Sequence, residues 1–576
     1  MYQCAKVASP TGGDKDTIPP VIRRSLPENN SAMFNGKQIE VLFNEFVQLK
    51  GISNTLIVSP PMQEQPDIRL RGKSMIITIK DTLRENTTYT FNFGDAVCDL
   101  NEGNPIQNFE FVFSTGSTVD SLAIAGKVLN ALSLETIEGV YVMLYDQLND
   151  SAPISSKPLY VSRTNKQGDF RIGHLKEGVY KLFALKDGNA NYRYDLSSEE
   201  IAFIDKPVTI SHSLLSPVDS MEMIRLMSDS SKAGDSLLAE RNIVSRYSLH
   251  LFKETEQRKL YLVKKERLSR NEIFLVFSKP PVGEVLVNPV DSSLNREWCV
   301  AEISRRSDTL HYWITDSSLY SQENLSLVLK YPVEDSLNKP VLFADTVRLR
   351  YVEPAKTRRG RTTVVEVAKS LALASSITQG AVIDLDKAIR LGFATPVVRV
   401  DTTRIHLEML QDSVWIGQEY IFKRDSFSLR NFHVYHPWKP ESMYHLFIEP
   451  GAFTDFSSLA NDTVDVRFSA RSTEYYGTIF LEVNNITSPV LIQMLNEKND
   501  PVRQTLLTED TRLVYNYLPP VKVRFRAIYD RNKNRMWDTG SYLAGQQPEK
   551  VLYLGPPTEV RSNWEIELTW SLSEEK

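Results

Sequence analysis

Two stretches of this chain carry oxygen-bearing side chains at the same spacing: Asp187-Gly-Asn189-Ala-Asn191-Tyr-Arg-Tyr-Asp195 and Asp530-Arg-Asn532-Lys-Asn534-Arg-Met-Trp-Asp538. Oxygens at the first, third, fifth and ninth positions match the opening of a calcium loop, where a hard cation gathers roughly six to eight oxygens at about 2.4 Å. The sixth position holds no glycine. The twelfth, which supplies the bidentate glutamate of such a loop, is Ser198 in one copy and Ser541 in the other. Glu199 or Glu200 can substitute in the first loop, whereas the second has no acidic residue until Glu549. Asp and Asn also build turns without metal, because their side chains accept bonds from the backbone two residues on and tolerate left-handed dihedrals. Calcium and a shared structural turn are therefore both readings of Asp187, Asn189, Asn191, Asp195, Asp530, Asn532, Asn534 and Asp538. The missing twelfth-position glutamate favours the turn, with Tyr194 and Trp537 packed beneath.

The likeness runs upstream without a gap. Phe170, Ile172, Leu175, Tyr180, Leu182 and Ala184 answer to Leu513, Tyr515, Leu518, Val523, Phe525 and Ala527. One module occurs twice, and each loop follows the same alternating strands.

Other chemistry is sparse. The chain contains no Gly-x-Ser-x-Gly, His-Glu-x-x-His or Walker loop, so the expectation is a protein that is not an enzyme. His433-x-x-His436 is the one close histidine pair, and it reads as exposed residues of a turn. Trp313, Trp415, Trp438 and Trp564 invite a sugar-stacking platform, yet aromatics at alternating strand positions are more often packing. Three scattered cysteines, Cys4, Cys98 and Cys299, make neither a disulfide framework nor a zinc site. A net charge of -5 with a pI near 6.0 gives no basic excess, so a nucleic-acid partner is not expected. No apolar run approaches the roughly 18 residues of a membrane-spanning helix.

At 576 residues the chain exceeds one core and predicts several domains. From 18 to 117 it alternates, with Ile39, Val41 and Phe43 on one strand face, then Tyr89, Phe91, Phe93, and Phe109, Phe111, Phe113. This resembles the bacterial Ig-like domain of surface-layer proteins, with Lys37-x-Ile39-x-Val41-x-Phe43-x-Glu45 as the opening strand. Lys387-x-Ile389-x-Leu391-x-Phe393 repeats that spacing, and Tyr444 precedes Phe468 as Tyr89 precedes Phe113. Ile273-x-Leu275-x-Phe277 opens a degenerate third copy. The duplicated module, with Gly168-Asp-Phe170 and Leu175-x-x-Gly178-x-Tyr180, resembles the transthyretin-like fold of carboxypeptidase regulatory domains; its second copy has Leu518-Pro-Pro520 in place of the glycines.

The start, Cys4-Ala, Pro10-Thr-Gly-Gly13, Asp and Pro19-Pro20, resembles the mature amino terminus of Bacteroidota outer-membrane lipoproteins that carry Ig-like domains. The resemblance implies lipidation at Cys4. Only three residues precede it, so the numbered start is expected to be a truncated or mis-called leader. The expectation is thus an all-β chain of tandem β-sandwich domains in an elongated array. Its divisions are a tether at 1–17, an Ig-like domain at 18–117, a transthyretin-like domain at 118–227, a linker at 228–244, a degenerate Ig-like domain at 245–355, a basic linker at 356–364, an Ig-like domain at 365–472 and a transthyretin-like domain at 473–576. The expected role is a non-enzymatic outer-membrane scaffold or accessory subunit meeting integral outer-membrane or envelope proteins, on the surface or the periplasmic face. The alternative is a surface adhesin or glycan-binding lipoprotein.

Overall fold

The computed structural model describes residues 15–214, 242–254, 260–290, 298–334, 340–352 and 370–572. Cys4, the basic linker at 356–364 and all but the last three residues of the linker at 228–244 lie outside them. Among the described residues no helix is long and apolar enough to cross a membrane.

Period-two alternation makes strands throughout. In Gln38–Phe43, Ile39, Val41 and Phe43 are buried while Gln38 and Glu40 face solvent. In the first sandwich, one sheet orders Ile22–Leu26, Gln38–Phe43, Ser74–Thr78 and Asp67–Arg71, and it faces a sheet of Ile57–Ser59, Thr88–Gly94 and Phe109–Ser114. Tyr89 sits opposite Phe113 with rings 5.5 Å apart and almost parallel, and its hydroxyl accepts the Arg84 N–H. The sandwich at 371–470 repeats this with Tyr444 opposite Phe468 at 5.6 Å and the Lys439 N–H on the tyrosine hydroxyl. In each, a tyrosine near the start of its strand bonds back to the backbone five residues upstream. In the third sandwich Leu325 lies opposite Leu349, and both are buried.

The duplicated module has one topology in both copies. Leu122–Asn130 pairs antiparallel with Asp169–Leu175 and parallel with Ile243–Lys253; Gly477–Asn484 pairs the same ways with Thr511–Leu518 and Glu565–Ser571. Gly178–Lys186 and Lys522–Ile528 are the matching central strands. Gly126 permits the parallel contact, because a Cβ there would stand 1.9 Å from the Tyr247 carbonyl oxygen.

Two points differ from expectation. Ile243–Lys253, assigned partly to the third domain, completes the second: Leu249 and Leu251 lie in the core built by Ile124, Phe170 and Leu182. Alternation marks a strand but not its sheet, and this strand's partner is over a hundred residues upstream. The array is also not elongated throughout, because the two copies of the module pack on one another. Phe183, Tyr145 and Phe252 of the first share a cluster with Tyr542 of the second, and Leu491, Ile528 and Val551 pack with Leu132.

The other junctions also carry specific polar contacts. Ser59 Oγ accepts the Val161 N–H, joining the first and second cores. Asp384 accepts from Arg471 and from Tyr476 at the fourth-to-fifth step. Glu302, 7% exposed, accepts from Arg430 at 2.9 Å and Ser428 at 2.8 Å between the third and fourth. Removing one partner leaves the other charge poorly solvated. Glu302→Ala is expected to cost about 2 kcal/mol at this joint and to speed trypsin cleavage between the two sandwiches, read by limited proteolysis beside a melting curve.

Candidate functional site

The paired loops connect equivalent strands of the two modules, and their backbones agree in detail. Ala190 and Tyr192 take left-handed φ of 57° and 60°; Lys533 and Arg535 take 60° and 62° at the same positions. Asp187 accepts the N–H groups of Asn189, Ala190 and Tyr192, and Asp530 accepts those of Asn534 and Arg535. Asn189 and Asn191 donate their amides to Asp195, as Asn532 and Asn534 do to Asp538. Carboxylates that gather several backbone N–H groups close such turns without help.

Each loop is also locked by a buried glutamate. Glu199 accepts from Gly188 on one oxygen and from Asp195 and Leu196 on the other. Glu549 accepts from Arg531 and Asp538 in the same way. Glu200 is turned elsewhere, 3.5 Å from Lys186. Fixed spacing could not find Glu549, which returns to the loop after the excursion 539–548, while Glu199 follows its loop directly.

A calcium ion here would draw on Asp187, Asn189, Asn191, Asp195 and Glu199, or on Asp530, Asn532, Asn534, Asp538 and Glu549. All three carboxylates of each set already accept bonds from the chain, and the asparagine amides present N–H to the last aspartate. Among the described residues no group of three or more His, Cys, Asp or Glu side chains is arranged to hold a metal ion.

The excursion after the second loop makes the contact between modules. Glu254 accepts the backbone N–H groups of Tyr542 and Leu543 on one oxygen and the Tyr194 hydroxyl at 2.9 Å on the other. The Tyr542 hydroxyl donates to the Asp150 carbonyl, and its ring meets Phe203 at 5.3 Å and Phe183 at 5.6 Å. Thr539 donates to the Lys253 carbonyl, and Gln547 reaches the Phe203 carbonyl and Asp205. Gly540 must be glycine, since a Cβ would stand 2.6 Å from the Phe252 ring. Tyr194 and Trp537 pack into this junction, and the Trp537 indole donates to the Glu549 carbonyl. Sequence gave no sign of Glu254, which belongs to no motif.

A polar cleft of about 760 Å³ opens between the first two domains, lined in part by Glu110, Arg163, Arg171 and His174. His174 stands at a bulge with φ of 56°, and its Nδ1 donates to the Asp120 carbonyl. Burial holds its pKa below the usual imidazole range. The other singled-out residues do not converge. Trp313 and Trp438 are buried, in the third and fourth sandwiches; Trp415 is half-buried on an outer sheet face, and Trp564 is exposed on the fifth domain. His433 pairs with Asp425 and His436 with the Glu419 carbonyl, so both have partners. Cys98 is buried and Cys299 half-buried.

Residues 16–115 match the family model of the bacterial Ig-like domain. The first sandwich is Ig-like. No curated protein matches the chain. Similar solved structures include the S-layer protein rSbsC(31-844), at 9% identity, covering 89% of this chain and 65% of that one with a TM-score of 0.13. The chain thus spans about two thirds of that protein's length. The major pilin subunit BcpA of Bacillus cereus is 9% identical, with 78% and 99% covered and a TM-score of 0.14. SGBP-B of the Bacteroides ovatus mixed-linkage glucan utilization locus is 11% identical, with 77% and 91% covered and a TM-score of 0.16.

Burial, then the nearby Asp538 and Asp530 charges, raise the Glu549 pKa against the lowering effect of its N–H donors. A raised carboxyl pKa means that the folded state holds the proton more tightly. That contribution is complete below the ordinary carboxyl pKa and is lost as pH rises through the folded value. The melting gap between wild type and Glu549→Gln is therefore expected to widen on going from pH 7 to pH 5. The same melts distinguish the two readings of the loops. A structural turn predicts equal melting temperatures in millimolar calcium and in chelator, and a rise of several degrees with calcium would assign the cation.

Proposed function

We propose that this chain is a non-enzymatic scaffold of a bacterial cell envelope, held at the outer membrane by a lipid on Cys4. It acts there as an accessory subunit of an envelope protein complex such as outer-membrane barrel assembly or protein export. The observation that carries this reading is the contact between the two copies of the duplicated module, centred on Glu254 and Tyr542. A chain that binds its fifth domain back to its second holds its surfaces in fixed relation, which is what a scaffold needs. Tyr194 of the first acidic loop and Trp537 of the second take part in that internal contact. The transthyretin-like resemblance of the module fits the same role, since that fold serves as a binding or structural unit.

The test uses the full chain with a carboxyl-terminal tag, purified from its own envelope in mild detergent. An integral β-barrel protein is expected to co-purify. Tyr542→Ala removes a buried ring, at about 3 kcal/mol, and is expected to lower that yield severalfold while each domain stays folded. Absence of any barrel protein, together with binding on a glycan array, would replace this reading with the surface glycan-binding one.

A further inference from the structure

The first and fourth sandwiches share one pole, and the chain uses it differently in each. In the first, Val47–Leu49 pairs with Val97–Asp99 as a short ribbon, and just outside it the Leu100 N–H donates to the Phe46 carbonyl. In the fourth, Val397–Val400 pairs with Phe453–Asp455, and the Phe456 N–H donates to the Pro396 carbonyl. Asp99 lies opposite Val47 and Asp455 opposite Val397, so Phe46 and Leu100 hold the positions of Pro396 and Phe456.

In the fourth sandwich those positions are covered. Pro396 is buried, and the Phe456 ring stands 6.0 Å from that of Trp313 in the third sandwich, the domain before it in the chain. In the first sandwich they are open: Phe46 and Leu100 are each 53% exposed.

The chain enters the first sandwich across this same pole. The Asn104 amide donates to the Asp16 carbonyl, the Val21 N–H donates to the Asn44 side chain, and the Asn44 N–H donates to the Val21 carbonyl. Ile18 and Val21, 65% and 55% exposed, add two more open apolar side chains to that end. Lys73 flanks them, its ammonium bonded to the Asn44 carbonyl and 5.7 Å from the centre of the Phe46 ring. Back from Lys15 to Cys4 there are eleven residue steps, which span at most about 40 Å.

We propose that this pole rests on the lipid surface, with Ile18, Val21, Phe46 and Leu100 entering the headgroup boundary, in the place where the fourth sandwich takes its preceding domain. The inference rests on the lipid anchor at Cys4 and names the part of the protein that meets the bilayer. The anchor selects the occupant, because the short tether keeps this pole beside the membrane. Four side chains fall short of the roughly 20–30 residues per side of a stable protein interface. A surface already tethered to lipid needs little further affinity, since its second contact forms within one assembly. At this end Lys15, Lys50 and Lys73 are interleaved with Asp16, Glu45 and Glu102, which leaves apolar insertion as the driving force rather than attraction to anionic headgroups. Lysines beside apolar residues keep their ammonium groups in water while their stems lie along the apolar surface.

The test uses the full chain with its native Cys4, purified from its own envelope and reconstituted into phosphatidylethanolamine–phosphatidylglycerol vesicles. A nitrobenzoxadiazole probe is attached at Leu100→Cys or, at the opposite end of the sandwich, at Leu26→Cys, where the side chain is 72% exposed. Wild type taken through the same labelling gives the background from Cys299. Spin-labelled lipid is expected to quench the probe severalfold more at position 100 than at position 26, in low salt and in molar salt alike. Phe46→Glu, at an exposed site, is expected to remove most of that difference with an unchanged melting temperature, and Phe46→Trp to retain it. Equal quenching at the two positions, quenching lost in molar salt, or full quenching with Phe46→Glu overturns the proposal. The mass of the Cys4 peptide is read on the same sample. An acylated Cys4 with an unquenched probe at position 100 sinks the pole contact and leaves the anchor standing, whereas an unmodified Cys4 removes the anchor and the proposal with it.

Discussion

The Glu254 carboxylate is the contact on which the arrangement of this chain depends. It belongs to the segment that leaves the second domain, yet it accepts backbone N–H groups from Tyr542 and Leu543 of the fifth and the hydroxyl of Tyr194 from the first acidic loop. A charged acceptor on backbone donors in a partly buried place is among the stronger hydrogen-bonding arrangements a protein can make. Around it the aromatic cluster of Phe183, Phe203 and Tyr542 excludes water, which strengthens the polar contacts inside.

The same device recurs at smaller scale. An all-β chain has many connections whose N–H groups no ladder can satisfy, and here acidic side chains satisfy them. Asp99 accepts from residues 102, 103 and 104 in the first sandwich, and Asp455 accepts from 457 and 459 in the fourth. Both are buried, at equivalent strands of their ribbons. Asp187 with Glu199 and Asp530 with Glu549 extend the device to longer loops. What looks like a metal-ligand pattern is, in this molecule, also a pattern for ordering turns.

Local features were legible in the sequence and long-range ones were not. The alternation at Ile39, Val41 and Phe43 located a strand, and the spacing of Tyr89 to Phe113 and Tyr444 to Phe468 located equivalent corners. Duplication of the module could be read because Asp and Asn in turns are constrained by backbone dihedrals. The placement of Ile243–Lys253 was hidden, since a parallel partner is chosen by the assembled sheet. Glu549 and Glu254 were hidden for a related reason: a carboxylate that serves distant N–H groups leaves no periodic trace.

Because the second and fifth domains are joined directly, the third and fourth lie on a closed branch between them. A pull applied across the first and fifth domains would travel mainly through the Glu254 and Tyr542 contact, the shorter and stiffer route. The third and fourth domains would carry little of that tension. The hairpin of the third thus sits on a mechanically sheltered branch.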